Sequence, residues 1–322
     1  MTTAEFEDLR RRAFGIAYRM LGSVSEAEDV VQEALLRMHR AQEQGEEIRS
    51  PRAYISTLVT RLAIDELRSA RARRETYVGE WLPEPIVGPA PDDPAAEAEL
   101  ADSLSMAFLQ MLERLTPEQR AAFLLHDVFG YSFDEVARVL ERNEASVRKL
   151  ASRARSRVTE GAPRYEVERE EQQRLAERFL AAARRGEVKE LEAMLTEDVE
   201  LHGDGGGEAP ALARPLFGRS RVARTLTAWL GLVQDTPGIE IEITTVNGHA
   251  GAITRDENGA VISVLSLDVA DGRIQAIRSI VNPRKLAHLG PSANLADVLA
   301  RVREVRARMH EARRRERARK PE

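Results

Sequence analysis

The sequence predicts a multidomain chain: two all-α segments, the second containing a helix-turn-helix, followed by an α+β domain. Three observations predict it. Apolar residues recur at helical spacing through residues 4–75 and again through 97–160. Between them GEWLPEPIVGPAPDDPAAE, from Gly79 to Glu97, holds five prolines in nineteen residues, which excludes regular helix. Late in the chain the pattern changes to alternation, with turn signals Asn247-Gly248, Asn258-Gly259 and Asp271-Gly272 between the runs.

The elements follow in order. Phe6, Leu9, Phe14, Ala17, Tyr18 and Leu21 share one face of a first helix, which Gly22-Ser23 ends. Ser25 opens S-E-A-E, a capping-box pattern, before a helix with Val30, Val31, Ala34, Leu35 and Met38 inward. After the polar stretch AQEQGEEIRS, Pro51 starts a third helix that buries Tyr54, Ile55, Leu58, Leu62 and Leu67. Past the prolines, Thr116-Pro117-Glu118-Gln119 is a helix start, and Ser132 with Glu135 forms another capping box. Glu141-Arg142-Asn143 turns the chain into a helix carrying Val147, Leu150, Ala151, Ala154 and Val158 on one stripe. Two helices (roughly 167–185 and 187–195) precede the HGDGGG loop and a helix over 219–233. Then IEIEITTV, AGAITRD, AVISVLSLDV and GRIQAIRSIV predict a curved antiparallel sheet. A helix from about Asn294 ends in a basic tail.

Composition narrows the function classes. The 322 residues are 31% charged and contain no cysteine, which excludes disulfides and thiolate metal sites. No metal and no cofactor is expected. No apolar run reaches the length of a membrane span, and the acid-bearing N-terminus MTTAEFEDLRRRAF is no signal peptide. The expected compartment is the cytoplasm. Net charge is −5, so a uniformly basic coat is excluded; basic residues instead cluster at Arg61–Arg74, Arg148–Arg157 and Arg301–Lys320. Such local clusters suit contacts with a polyanion.

In the second segment, if the apolar stripe faces the core, Ser146, Arg148, Lys149, Ser152, Arg153 and Ser156 face outward. Arginine can read guanine bidentately, and lysine or serine can hold phosphate. The bland alternative is a solvated helix. No acid lies between Glu144 and Glu160, where helix-stabilising ion pairs would ordinarily occur, and this favours groove binding.

Residues in both helical segments carry a resemblance. SEAEDVVQEALLRMHR is similar to the helix of bacterial extracytoplasmic-function sigma factors that binds the clamp helices of RNA polymerase. RSPRAYISTLVTRLAIDELRSARARRE is similar to their following helix, which contacts the promoter −10 element. LTPEQRAAFLLHDVFGYSFDEVARVLERNEASVRKLASRARSRV resembles their −35-reading domain. The resemblance implies polymerase docking by Asp29, Gln32 and Glu33, which share one helix face. It implies −10 contacts by Arg61, Arg68 and Arg71, and −35 contacts by Arg148, Lys149, Ser152 and Arg153. The loop Ala41–Ser50 corresponds to the segment that captures a flipped base.

Residues 167–285 resemble SnoaL-like domains of the nuclear-transport-factor-like cone fold, some of which are cyclases and isomerases. The polar candidates for such chemistry are Asp198, His202, Asp204, His249, Asp268 and Arg278, of which a carboxylate and a histidine would have to converge. A subset of these sigma factors carries this domain fused. Its hallmarks are WLPEP at Trp81–Pro85, DGGGE at Asp204–Glu208 (the family has Lys at the last position) and NPRKL at Asn282–Leu286 (the family has Asp at the third). The two departures are opposite in charge and fit a compensated pair.

The resemblance implies domains at 1–77 (polymerase and −10), 78–96 (linker), 97–160 (−35), 165–286 (SnoaL-like, regulatory) and 287–322 (helical basic tail). A proline-stiffened segment has little entropy to lose on docking, and tryptophan offers the largest apolar contact. Trp81, Leu82, Pro83, Glu84 and Pro85 are therefore expected to latch onto the C-terminal domain near Asp204, Gly205, Gly206 and Gly207, with Asn282 and Pro283 alongside. The chain reads as a promoter-specificity subunit, not an enzyme. Its partners are core RNA polymerase and promoter DNA, with a small-molecule ligand of the cone left open, no membrane and no separate anti-sigma factor. The rival is a helix-turn-helix regulator fused to a catalytic cone. The tail's stripe (Leu295, Val298, Val302, Val305, Met309) should pack on the protein itself, its basic end touching DNA or, in preference, solvent.

Overall fold

The structure is a computed structural model that describes residues 2–88, 103–159 and 169–319. The C-terminal part of the proline-rich linker, the expected start of the second helical segment at 97, the expected helix start at 167 and the last basic residues lie outside the described residues. Two units form. The first holds the chain up to Tyr77, Leu82–Ile86 and the second helical segment. The second holds Val78–Trp81, Val87–Gly88 and the described residues from Arg169 onward.

In the first unit, α1 (Thr3–Leu21) is closed by Gly22 at φ 68°, a left-handed position that glycine adopts without strain. Helix α2 (Val24–Glu43) is capped by Ser23, whose Oγ accepts from Glu26 N. The expected cap at Ser25 is thus displaced by two residues, because Ser23 (φ −128°, ψ 128°) is the extended residue before the helix begins at Val24. Helix α3 spans Pro51–Glu75. The second segment contributes α4 (Met106–Leu112) and α5 (Pro117–Phe123). The Thr116–Gln119 capping box starts α5, and a π turn over Leu124–Val128 follows it. Next come α6 (Phe133–Leu140), with the Ser132–Glu135 box, and α7 (Glu144–Thr159).

The two segments do not form separate cores. Ile16, Val31 and Ile55 belong to the same buried cluster as Leu124, Val147 and Ala151. Polar groups seal the junction. Arg120, 3% exposed, donates to the carbonyls of Met20 (2.5 Å) and Leu112 (2.7 Å) and pairs with Glu113 at 3.0 Å. Tyr131 Oη accepts from Arg12 and donates to Ser56 Oγ. Burying a guanidinium is costly unless it is paired, and these contacts pair Nη1 and Nη2 of Arg120.

The second unit comprises α8 (Arg169–Arg185), α9 (Val188–Met194), β1 (Leu195–Asp204), β2 (Leu216–Phe217), α10 (Arg219–Gln234), β3 (Ile239–Val246), β4 (His249–Asp256), β5 (Val261–Ala270) and β6 (Arg273–Ile280). After the sheet come α11 (Pro283–Leu286) and α12 (Leu295–Arg319). The strand order is β2-β1-β6-β5-β4-β3, and β1 runs parallel to β6 with His202 opposite Arg278. The sheet is therefore mixed, which corrects the expected antiparallel one. The sequence reading missed β1 because Thr196, Glu197 and Asp198 break its alternation and its main partner lies more than seventy residues on.

One face of the sheet, with Val199, Leu201, Leu267 and Ile277, packs on Phe179 of α8 and Leu226 of α10. This is the α+β architecture expected for the C-terminal part. Val298 of α12 packs with Ala260 and Ala293, and Val302 lies against them; the side chain of Met309 lies outside the described residues.

Candidate functional site

Helix α2 leaves Asp29, Gln32 and Leu36 exposed and Glu33 half-buried on one face. Glu33 accepts from Arg37 at 2.7 Å. Leu36, 43% exposed, places an apolar side chain beside the three expected docking residues.

Arg61 and Arg68 of α3 are engaged. Arg61 donates to the carbonyls of Val139 (2.9 Å) and Arg138 (3.1 Å) and pairs with Glu141 at 3.0 Å. Arg68, seven residues on and so on the same face, pairs with Glu118 at 2.7 Å and Asp65 at 3.2 Å. Burial pushes the Glu118 carboxyl up, but the Arg68 hydrogen bond and charge outweigh it and hold the group below the usual carboxylate range. Arg71 lies in α3, and its side chain is outside the described residues. The two acids Glu118 and Glu141 were not legible as partners of α3, because nothing local announces a contact fifty to eighty residues away.

On α7 the buried stripe is Val147, Ala151, Ala154 and Val158, with Leu150 half-buried. Arg148, Lys149, Ser152 and Arg153 are exposed, as their phase requires. Arg148 is braced by Glu144 one turn back and lies 4.3 Å over the Phe133 ring. Lys149 and Arg153 line a groove of about 300 Å³ with Arg142, Ser146, Leu150 and Glu118. Arg155 and Arg157 instead turn to Asp127 and to Gln119 with the Arg114 carbonyl. A cationic groove beside an exposed helix is the surface a DNA backbone needs.

The linker is divided between the units, which corrects the expectation that all five residues dock on the C-terminal domain. Leu82, Pro83, Glu84 and Pro85 are buried in the first unit. Glu84 Oε2 accepts from the amides of Val24 (2.7 Å) and Ser25 (3.1 Å), and Oε1 from the Ser23 and Ser25 hydroxyls. Its amide donates to the Gly22 carbonyl at 2.8 Å and its carbonyl accepts from Tyr18 Oη at 2.7 Å. A carboxylate at the first turn of α2 meets unsatisfied N–H groups and the positive end of the helix dipole. That requirement, not the neighbouring tryptophan, decides where Glu84 goes.

Trp81 does lie in the second unit. The Lys285 ammonium sits 4.1 Å from its ring centroid and 2.6 Å from Asp204, which is fully buried. The Asp204 carbonyl accepts from the amides of Val281 and Asn282, and Asn282 caps α11 ahead of Pro283. Gly205 is crowded by the Ala209 backbone, so only glycine fits there. Gly206 and Gly207 have φ 59° and 76°, and a side chain on Gly207 would meet Val78 of the linker. The two departures from the motifs are paired, Arg284 Nε lying 2.5 Å from Glu208. Glu80 completes the anchor. His202 Nδ1 is 2.7 Å from Glu80 and Nε2 is 2.8 Å from Glu200. Farther along, the Gly88 amide donates to the Thr245 carbonyl.

The polar candidates for chemistry do not converge on the cone's packed interior. Asp198 is exposed. His202 and Asp204 alternate with Leu201, His249 with Ala250, Asp268 with Leu267 and Arg278 with Ile277, so all five point from the face opposite the helices. Asp268 and Arg278 pair with each other. Among the described residues no cluster of His, Asp or Glu could hold a metal ion, and no helix is long and apolar enough to cross a membrane.

Comparison with known proteins places the chain in a family. Models of Sigma-70 region 2 and of Sigma-70, region 4 match residues 6–73 and 105–158. The ECF RNA polymerase sigma factor SigJ of Mycobacterium tuberculosis is 40% identical over 296 residues, spanning 88% of this chain and 93% of its own. A crystal structure of SigJ superposes on 89% of this chain and 98% of its own at 37% identity, with a TM-score of 0.69. The sigma factor RpoE of Bartonella quintana, crystallised with the anti-sigma factor NepR, overlaps 49% of this chain and 93% of its own at 21% identity and a TM-score of 0.38. With both sigma-70 regions present in order and a relative this similar over most of its length, the chain belongs to the extracytoplasmic-function RNA polymerase sigma factors.

Proposed function

We propose that this sigma factor, which serves promoter-specific transcription initiation, is regulated in cis by its C-terminal unit through the linker. The single observation that carries the reading is the linker itself. One short segment is hydrogen-bonded at the start of α2 through Glu84 and packed on the C-terminal unit through Glu80 and Trp81. The neighbouring face of α2, with Asp29, Gln32, Glu33 and Leu36, docks core polymerase. Arg61, Arg68 and Arg71 serve the −10 element and Arg148, Lys149, Ser152 and Arg153 the −35 element. Residues 1–77 are assigned the polymerase and −10 roles, 97–160 the −35 role and 165–286 regulation, the first two packed as one unit, and the protein works in the cytoplasm with polymerase. No separate anti-sigma protein is required; NepR is a partner of RpoE. The C-terminal unit does not catalyse, a reading supported by an apolar helix-covered face and polar groups that pair with each other.

Run-off transcription with purified core polymerase tests the proposal. Promoter-specific transcripts should appear only when the protein is added, and truncation after residue 160 should change their yield. A folded protein that yields no transcript from any genomic promoter fragment would overturn the assignment, and identical yields with and without the C-terminal unit would overturn regulation in cis.

A further inference from the structure

His202 sits between two carboxylates. Its Nδ1 lies 2.7 Å from Glu80 of the linker and its Nε2 lies 2.8 Å from Glu200 on the same strand. A neutral imidazole has one N–H and one lone pair, so it can satisfy only one carboxylate and must aim its lone pair at the other. Only the doubly protonated ring donates to both. We infer that the anchoring of the linker on the C-terminal unit is proton-gated, with the His202 imidazolium clamping Glu80 and its deprotonation releasing that segment.

The surroundings favour the charged ring. On β1 the nearby acid is Glu200; from the linker it is Glu80. From β6 the facing cation is Arg278, opposite His202 in register, and from β5 Asp268 neutralises it. From β2 the opposing residues are Leu216 and Phe217, which do not titrate. Burial pulls the ring's pKa down, the hydrogen bond and charge of Glu80 and then the bond to Glu200 push it up, and Arg278 opposes them; the net direction is upward from 6.5. A group whose folded pKa is raised stabilises the docked state fully below its unfolded value, and that contribution fades as pH rises through the folded one. The clamp is closed at pH 6.5 and below, and it opens as pH rises through the raised pKa of the ring.

The linker is held as well by Val78 beside Gly207, a contact with no titrating group, whereas Trp81, next to Glu80 and stacked on Lys285, follows the clamp. Deprotonation therefore loosens one end of the segment without unfolding either unit.

The test uses the full chain in a Trp229→Phe background, where Trp81 is the sole indole. Histidine labelled at Cε1 and assigned with His202→Gln should show one ring titrating above pH 6.5. Trp81 emission should move toward the solvent value over the same interval. The shift should be absent in His202→Gln and in Glu80→Gln, whose neutral amide pairs with either tautomer. A His202 midpoint below 6.5, or a Trp81 profile unchanged by both substitutions, would overturn the clamp. Neither measurement involves polymerase or DNA, so failure of the cis-regulatory reading and failure of the clamp are told apart.

Discussion

Glu84 occupies a linker, yet its carboxylate accepts from four donors at the start of α2, the Val24 and Ser25 amides and the Ser23 and Ser25 hydroxyls. Removing a buried charge-assisted acceptor leaves those donors unpaired, which costs about 1–3 kcal/mol. Glu84→Ala should therefore lower the unfolding midpoint of the first unit and speed hydrogen exchange at the Val24 and Ser25 amides; unchanged exchange there would show that water replaces the carboxylate. On α7 the expectation runs the other way. Arg153→Ala removes an exposed side chain, so stability should change by no more than about 0.5 kcal/mol, and Arg148→Ala also loses the Phe133 contact, about 0.5–1 kcal/mol. Loss of a base contact should cost about 1–3 kcal/mol in promoter affinity at one position, whereas loss of a phosphate contact should weaken all sequences and flatten the salt slope by about one unit. Filter or anisotropy titrations at several salt concentrations separate the two.

Among elements, the meeting of α3 with α5 and α6 has the clearest consequence. Arg61 and Arg68 are proposed to follow promoter DNA, and in this structure they hold the helix-turn-helix segment. DNA phosphate and Glu118 therefore compete for Arg68. The pair is partly exposed and worth about 0.2–1 kcal/mol after solvent screening, small enough for a polyanion to displace. Glu118→Gln should raise affinity for a single-stranded −10 oligonucleotide by up to about fivefold while the unfolding midpoint barely moves. Anisotropy at low and moderate salt measures this, and equal affinity of the two proteins would mean that Arg68 does not contact the strand.

At the scale of the whole molecule the linker joins two self-sufficient hydrogen-bond sets, one in each unit. The Glu84 set lies within the first unit, so truncation after residue 160 should leave α2 capped and the helical signal of that unit intact. The Trp81 set lies within the second and should be lost with it. Trp81→Ala removes a cation–π contact worth about 0.5–2 kcal/mol. It should change run-off transcription in the same direction as truncation, with circular dichroism unchanged. Opposite directions would mean that the C-terminal unit acts by something other than holding the linker.

The sequence by itself determined what depends on neighbours within a turn. The Thr116 and Ser132 caps, the Gly22 stop, the Asn247-Gly248 turn and the outward phase of Arg148 and Arg153 are set by residues three or four positions apart or by a backbone angle that few residues adopt. The Glu208–Arg284 pair was legible because two motif departures had opposite charge. Tertiary structure alone decided the rest. Strand β1 owes its place to a parallel partner, the two helical segments share a core, and Glu84 serves α2 although it stands three residues from Trp81. The contacts that settle these points span 60 residues for Glu84 with Val24, 78 for Arg61 with Val139 and 122 for His202 with Glu80. Over such separations the choice of partner follows from where the folded core leaves an unsatisfied donor or a buried charge, which no local pattern encodes.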